Sequence, residues 1–212
     1  MGPEVPDNAS SYQPFRHPNR WPAEHLLPAA SFKELLLHYR DRLIALSRTL
    51  LEILARGLPY NNPRLFDAFA TDPLAVVRLL HYPPQPDLTD PQQVGAGAHT
   101  DFGAITLLLQ DGQGGLQVLN EATGVWVNVP PNPEAYVVNI GDMMAMWTRK
   151  YHSNIHRVIN SSGGERYSVP FFFDGNLEYV LRPLDGDGTE QGVTVEEFMA
   201  ERYRKTHPGS YK

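Results

Sequence analysis

From Leu74 to Arg182 the chain is cut into short β-prone runs: "VVRLLHY", "ITLLLQ", "GLQVL", "VWVNV", "YVVNI", "IHRVIN", "RYSVPFFF" and "EYVLRP". Gly, Pro, Asn and Asp separate them. Many short strands at close spacing are the pattern of a β-sandwich or barrel. "VLNEATGVWVNV" predicts a hairpin with Gly124 in its turn, followed by alternation of period two. "NIGDMMAMW" reads as a further tight turn at Gly141-Asp142.

The flanks differ. Residues 1–30 are rich in Pro, Asn and Ser and predict an irregular segment, with Phe15 and Trp21 as anchors. "SFKELLLHYRDRLIALSRTLLEILARGL" has apolar residues at 32, 35, 36, 39, 43, 46, 50, 53 and 54, the single stripe of an amphipathic helix. Ser31 and Glu34 fit a capping box, and Gly57 followed by Pro59 fits a stop. "NNPRLFDAFA" suggests a short second helix, so 31–70 is expected to be helical. "TVEEFMAERYRKTH" returns to helix in the 183–212 extension, with Thr194 and Glu197 as its capping box. The expected fold is mainly β: one domain over 1–212, with the β core at 74–182 between a long N-terminal helix and a C-terminal helix.

Composition narrows the chemistry. The 212 residues suffice for one sizeable core. The net charge of −6 gives no basic nucleic-acid footprint and no anionic-membrane patch. With no cysteine, disulfides, iron–sulfur clusters and thiolate metal sites are excluded, leaving His, Asp and Glu as strong ligands. The first residues show no apolar signal-peptide core, and no window has the apolar length of a membrane span. A cytoplasmic location is the default expectation.

Of the eight histidines, His17, His25, His38, His81 and His207 fit ordinary surface or strand-end roles. His99 differs because Asp101 follows it by two. In extended backbone, residues i and i+2 project to one side, so both could reach a point just off a strand end. A catalytic metal needs a third ligand, and "RKYHSNIHRVINSS" offers His152 and His156. His156 is favoured, because "RVIN" can continue as a strand that holds it, while His152 falls in the preceding loop. Two histidines and one carboxylate are the facial arrangement of non-haem Fe(II) oxygenases. Zinc tolerates the same set, so the triad alone does not name the metal. "ERYSVPFF" adds Arg166 and Ser168, again two apart on one strand face. Arginine pairs bidentately with carboxylate and a serine hydroxyl adds a donor, so this strand could hold the far end of a dicarboxylate. The plainer reading makes Arg166 an exposed strand residue.

Taken in order, "RLLHYPP", "HTDFGAITLLLQD", "GLQVL", "NIGDMM", "HRV" and "RYSVPFFF" resemble the isopenicillin N synthase-like branch of the Fe(II)- and 2-oxoglutarate-dependent oxygenases, best over about 60–182. The resemblance implies a double-stranded β-helix, or jelly-roll, core. It implies His99, Asp101 and His156 as iron ligands, and Arg166 and Ser168 as binders of the distal carboxylate of 2-oxoglutarate. It places Tyr82 in the cosubstrate carboxylate region, and Phe102, Phe171 and Phe173 along a substrate cavity. The implied activity uses Fe(II), 2-oxoglutarate and O2 to hydroxylate, desaturate or cyclise a small-molecule substrate, releasing succinate and CO2, with no nucleic-acid or membrane partner. Two rivals stand beside it: a family oxidase that does not use 2-oxoglutarate, and a non-catalytic jelly-roll module binding a small acid or partner protein. Two departures accompany the resemblance. Leu80 stands where the family often has Asn. The family's usual N-terminal region is not in front of "GPEVP", which sets up the expectation of an open cavity, poorly coupled turnover and a sheet edge available for self-association.

Overall fold

The computed structural model describes residues 1–3, 15–27, 32–84, 95–160 and 163–206. After a single 3-10 turn at Glu24–Leu26 come α1 (Phe32–Arg56), β1 (Leu74–Val77), β2 (Leu80–Tyr82), β3 (Ala96–His99), β4 (Ile105–Gln110), β5 (Leu116–Asn120) and β6 (Val125–Asn128). β7 (Val137–Ile140), α2 (Asp142–Thr148), β8 (His156–Val158), β9 (Arg166–Gly175), β10 (Val180–Leu181), β11 (Val193–Thr194) and α3 (Val195–Thr206) follow. Among the described residues no helix is long and apolar enough to cross a membrane. The elements form two compact units, Met1–Val77 with Phe171–Lys212, and Arg78–Pro170.

In the first unit, α1 forms as expected but buries Leu43, Ile44, Ser47, Leu51 and Ala55; of the stripe read from sequence only Leu43 is buried, and Leu35 and Ile53 are exposed. Arg40 Nε donates to the Ala75 carbonyl at 3.2 Å, tying the helix to β1. The helix stops where its pattern predicts, with the Gly57 amide on the carbonyls of Ile53 and Leu54. Ser31, the proposed cap, lies outside the described residues. β1 runs antiparallel to the second half of β9, with Val77 opposite Phe171 and Ala75 opposite Phe173. The anchors of the first segment find aromatic partners: Trp21 packs edge-on against Phe32, and Phe15 lies 5.5 Å from Tyr203.

The second helix expected at "NNPRLFDAFA" does not form. Residues 63–70 are a chain of turns. Its bonds are mostly of the three-residue kind: Leu65 to Asn62, Asp67 to Arg64, Thr71 to Ala68. Asn62 Oδ1 also takes the Arg64 amide, the local competition by which Asn resists helix. This path drives Phe66 and Phe69, three apart, into the core. At the other end the Thr194–Glu197 capping box is complete. The Glu197 amide donates to Thr194 Oγ1 at 3.1 Å, and the Thr194 amide donates to Glu197 Oε2 at 2.8 Å.

The second unit holds two antiparallel sheets, ordered β2-β9-β4-β7 and β3-β8-β5-β6. Tyr82, Leu108, Leu116 and Val158 fill the space between them, with Leu80, Ala96, Val129 and Val137 at the margin. Each sheet contributes to this cluster, the two-layer packing of the expected jelly roll. The β5–β6 hairpin turns through Gly124 at φ 69°, and Asn120 Oδ1 accepts the Ala122 amide inside the turn. The turn expected at Gly141-Asp142 is instead the start of α2, with extended Gly141 as its N-cap. The seven-residue "DMMAMWT" buries Met143, Met144, Trp147 and Thr148, so it presents no polar face to mark it as a helix in sequence.

Candidate metal and carboxylate site

His99 ends β3 and His156 opens β8, and the two are direct partners across the sheet. Directly opposed residues share a face, so their rings meet with centroids 4.3 Å apart. Asp101, two residues past His99, is 6% exposed and His156 7%, whereas His99 is open on one side. One ligand atom from each of the three lies within 4.8 Å of the others. His156 Nε2 stands 3.8 Å from Asp101 Oδ1.

The tautomers follow from the backbone. His99 Nδ1 lies 2.6 Å from the Gly97 carbonyl, and His156 Nδ1 lies 3.1 Å from that of Asn154. A carbonyl can only accept, so each Nδ1 carries a proton, and in the neutral imidazole Nε2 is left as the free ligand atom. Two imidazole nitrogens and a carboxylate converge, which is the donor set that can hold a divalent metal. His152, the alternative third ligand, is exposed in the loop ahead of β8 and is not in the cluster.

Asp101 is fixed by β7 and α2, a contribution that no sequence pattern announced. The amides of Gly141, Asp142 and Met143 donate to the carbonyls of Ala104, Asp101 and Phe102 at 2.8–3.1 Å. Thr100 Oγ1 donates to Asp142 Oδ2 at 3.1 Å. A Cβ on Gly141 would sit 2.1 Å from the Gly103 carbonyl oxygen, so only glycine permits this approach. Buried Asn139 reaches Asp101 Oδ2 with its amide at 3.5 Å.

The second cluster is in the facing sheet. β2 pairs with the first half of β9, setting Tyr82 opposite Arg166 and Leu80 opposite Ser168. Along β9 Arg166 and Ser168 point inward and Tyr167 outward. Far from being exposed, Arg166 is wholly buried. Its Nε donates to the Gly114 carbonyl at 3.0 Å and its Nη2 to Gln110 Oε1 at 3.1 Å, while its guanidinium lies 4.8 Å from the Tyr82 ring centroid. Nη1 of Arg166 and Oγ of Ser168 are buried and have no hydrogen-bond partner among the described residues. Buried donors are rarely left so. A buried guanidinium with a spare donor beside a spare hydroxyl is chemistry that can bind an acid group. Leu80 contributes packing rather than a polar contact.

Of the three phenylalanines expected along a cavity, Phe102 is half-buried beside Asp101. Phe171 and Phe173 are fully buried in the first unit, where Phe173 packs against Phe69 with centroids 6.1 Å apart.

Two facing antiparallel sheets, with a His-x-Asp and His cluster that could hold a metal on one and a buried Arg/Ser pair that could hold an organic acid on the other, define a jelly-roll oxygenase-like fold. Residues 73–175 match the family model of the 2OG-Fe(II) oxygenase superfamily. A 2-oxoglutarate-dependent dioxygenase of Monascus ruber is 49% identical over 217 residues, an alignment covering 97% of this chain and 66% of that relative. A crystal structure of a 2OG-Fe(II) oxygenase family protein from Caulobacter crescentus superposes with TM-score 0.79 at 34% identity, covering 97% of this chain and 68% of that one. A full-length Neurospora crassa protein, crystallised with alpha-KG and thymine, superposes with TM-score 0.85 at 30% identity, covering 98% of this chain and 64% of that one. The chain belongs to the 2OG-Fe(II) oxygenase superfamily. It spans just under two thirds of the Monascus relative's length.

Proposed function

We propose that this protein is an Fe(II)- and 2-oxoglutarate-dependent oxygenase acting on a small organic molecule, of the isopenicillin N synthase-like branch. The observation that carries the reading is the pair of unsatisfied buried donors, Arg166 Nη1 and Ser168 Oγ, in the same unit as the His99, Asp101 and His156 cluster. A metal cluster alone fits zinc hydrolysis as well as oxygen chemistry. A metal cluster with a built carboxylate receptor fits a chelating dicarboxylate cosubstrate. The branch assignment rests on the ordered elements from "RLLHYPP" to "RYSVPFFF".

His99, Asp101 and His156 would hold the iron, and Arg166 and Ser168 the distal carboxylate. Together iron, 2-oxoglutarate and O2 supply a two-electron oxidation: the keto acid gives succinate and CO2, and for a hydroxylation one oxygen atom enters a substrate C–H bond. The protein's own part is positional. Asn154 and Gly97 hold the imidazoles with Nε2 inward. The α2 amides hold the Asp101 loop. Gln110 and Gly114 aim the Arg166 fork, and Tyr82 covers its face, keeping the cation dry and its pull on a carboxylate strong. The substrate is a small molecule by this proposal, as thymine is in the crystals of the Neurospora relative.

The test is Fe(II) binding and succinate release by the wild type, His156→Ala and His152→Ala. His156→Ala should lose stoichiometric Fe(II) and turnover, and His152→Ala should keep both. Reversed outcomes would refute the ligand assignment. Oxidation of a substrate without succinate would favour an oxidase independent of 2-oxoglutarate.

A further inference from the structure

Asp101 has two carboxylate oxygens, and the structure treats them differently. Oδ1 faces His156, 3.8 Å from its Nε2. Oδ2 faces away, to the side-chain amide of Asn139 at 3.5 Å. Only the NH2 of that amide can face a carboxylate, which fixes its orientation. Asn139 is itself buried, 7% exposed, opposite buried Thr106 in the β4–β7 ladder. Its strand runs directly into the Gly141–Met143 corner that binds the Asp101 loop through three backbone amides. The donor and the carboxylate are therefore set by one rigid piece of backbone.

We propose that Asn139 is a positioning residue that holds Asp101 to ligation through Oδ1 alone. It rests on the reading that His99, Asp101 and His156 bind iron. A carboxylate free to rotate can offer both oxygens to a metal. Here a second bound oxygen would take a coordination position that the facial arrangement otherwise leaves for cosubstrate and O2. By occupying Oδ2, Asn139 keeps that position open and aims Oδ1. It also compensates part of the cost of a buried carboxylate.

The experiment uses Asn139→Leu, which keeps most of the volume and removes the donor, and Asn139→Ala. Three quantities are read under anaerobic conditions: Fe(II) affinity of the full chain, melting temperature without metal, and the visible charge-transfer absorption that develops when 2-oxoglutarate is added at saturating Fe(II). Both variants should bind Fe(II) roughly ten- to a hundredfold more weakly, the range for loss of a metal ligand's hydrogen-bond partner. The 2-oxoglutarate titration should move to higher concentration, and the metal-free melting temperature of Asn139→Leu should stay at the wild-type value. Unchanged Fe(II) affinity in Asn139→Leu overturns the proposal. So does a loss of affinity matched by a lower metal-free melting temperature or by failure to fold, which would make Asn139 a packing residue. If the wild type takes up no Fe(II), or His156→Ala takes up as much, the metal reading fails instead.

Discussion

Replacing Arg166 with lysine keeps the charge and removes the planar fork. In the structure that fork makes two bonds to protein, to the Gly114 carbonyl and Gln110 Oε1, and keeps Nη1 in reserve. A lysine ammonium is a point donor on a thinner stem and cannot reproduce those three directions. Two separate losses follow. Buried Gln110 Oε1 left without its donor costs about 1–3 kcal/mol, so the metal-free protein should melt several degrees lower. A hydrogen bond to a charged group is worth about 1.5–3 kcal/mol, and each 1.4 kcal/mol is tenfold, so 2-oxoglutarate affinity should fall by roughly ten- to a hundredfold. Ser168→Ala separates the two effects, because Oγ has no hydrogen-bond partner among the described residues. It should leave stability nearly unchanged and weaken 2-oxoglutarate about tenfold. The assay is calorimetric titration of 2-oxoglutarate into anaerobic, metal-loaded protein, with thermal melting of the metal-free form alongside. Unchanged 2-oxoglutarate affinity in both variants would show that the acid is held elsewhere and that the buried donors serve another purpose.

Gly115→Ala should be destabilised and should also weaken 2-oxoglutarate, because φ at 115 is 112° and a Cβ there would lie 2.2 Å from the Ile159 carbonyl oxygen. The backbone strain alone is about 1–3 kcal/mol, and its relief would move Gly114, which aims Arg166; melting and titration read the two effects. The α3 capping box should make stability depend on acid pH. Hydrogen bonds from the Thr194 amide and hydroxyl hold the Glu197 carboxyl below its ordinary range. A pKa lowered on folding stabilises above the unfolded-state glutamate value, and that stabilisation is lost as pH falls through the lowered one. The wild type should therefore melt above Glu197→Gln at neutral pH, and the gap should close as pH falls; a constant gap would show that ionisation plays no part.

What was local in the chain was legible from the sequence by itself. The helix of α1, the Gly57 stop and the Thr194–Glu197 box need only neighbours within a few residues, and each formed where its pattern placed it, although the face that α1 buries, with Ile44, Leu51 and Ala55, is not the stripe read from sequence. Period-two spacing put His99 near Asp101 and Arg166 beside Ser168, and strand continuation favoured His156 over His152. Tertiary structure decided the rest. "NNPRLFDAFA" became turns because Phe66 and Phe69 both gain burial on that path. α2 was hidden because seven residues of almost wholly apolar sequence carry no amphipathic signature. Whether Arg166 was an exposed strand residue or a buried cation depended on Gln110 and Gly114, more than fifty residues earlier in the chain. Asn139 reached Asp101 only because β7 pairs with β4 and turns into α2 against the Asp101 loop. Local pattern names the residues able to do the chemistry. Their burial and unsatisfied donors come from long-range strand pairing, which no short window of sequence contains.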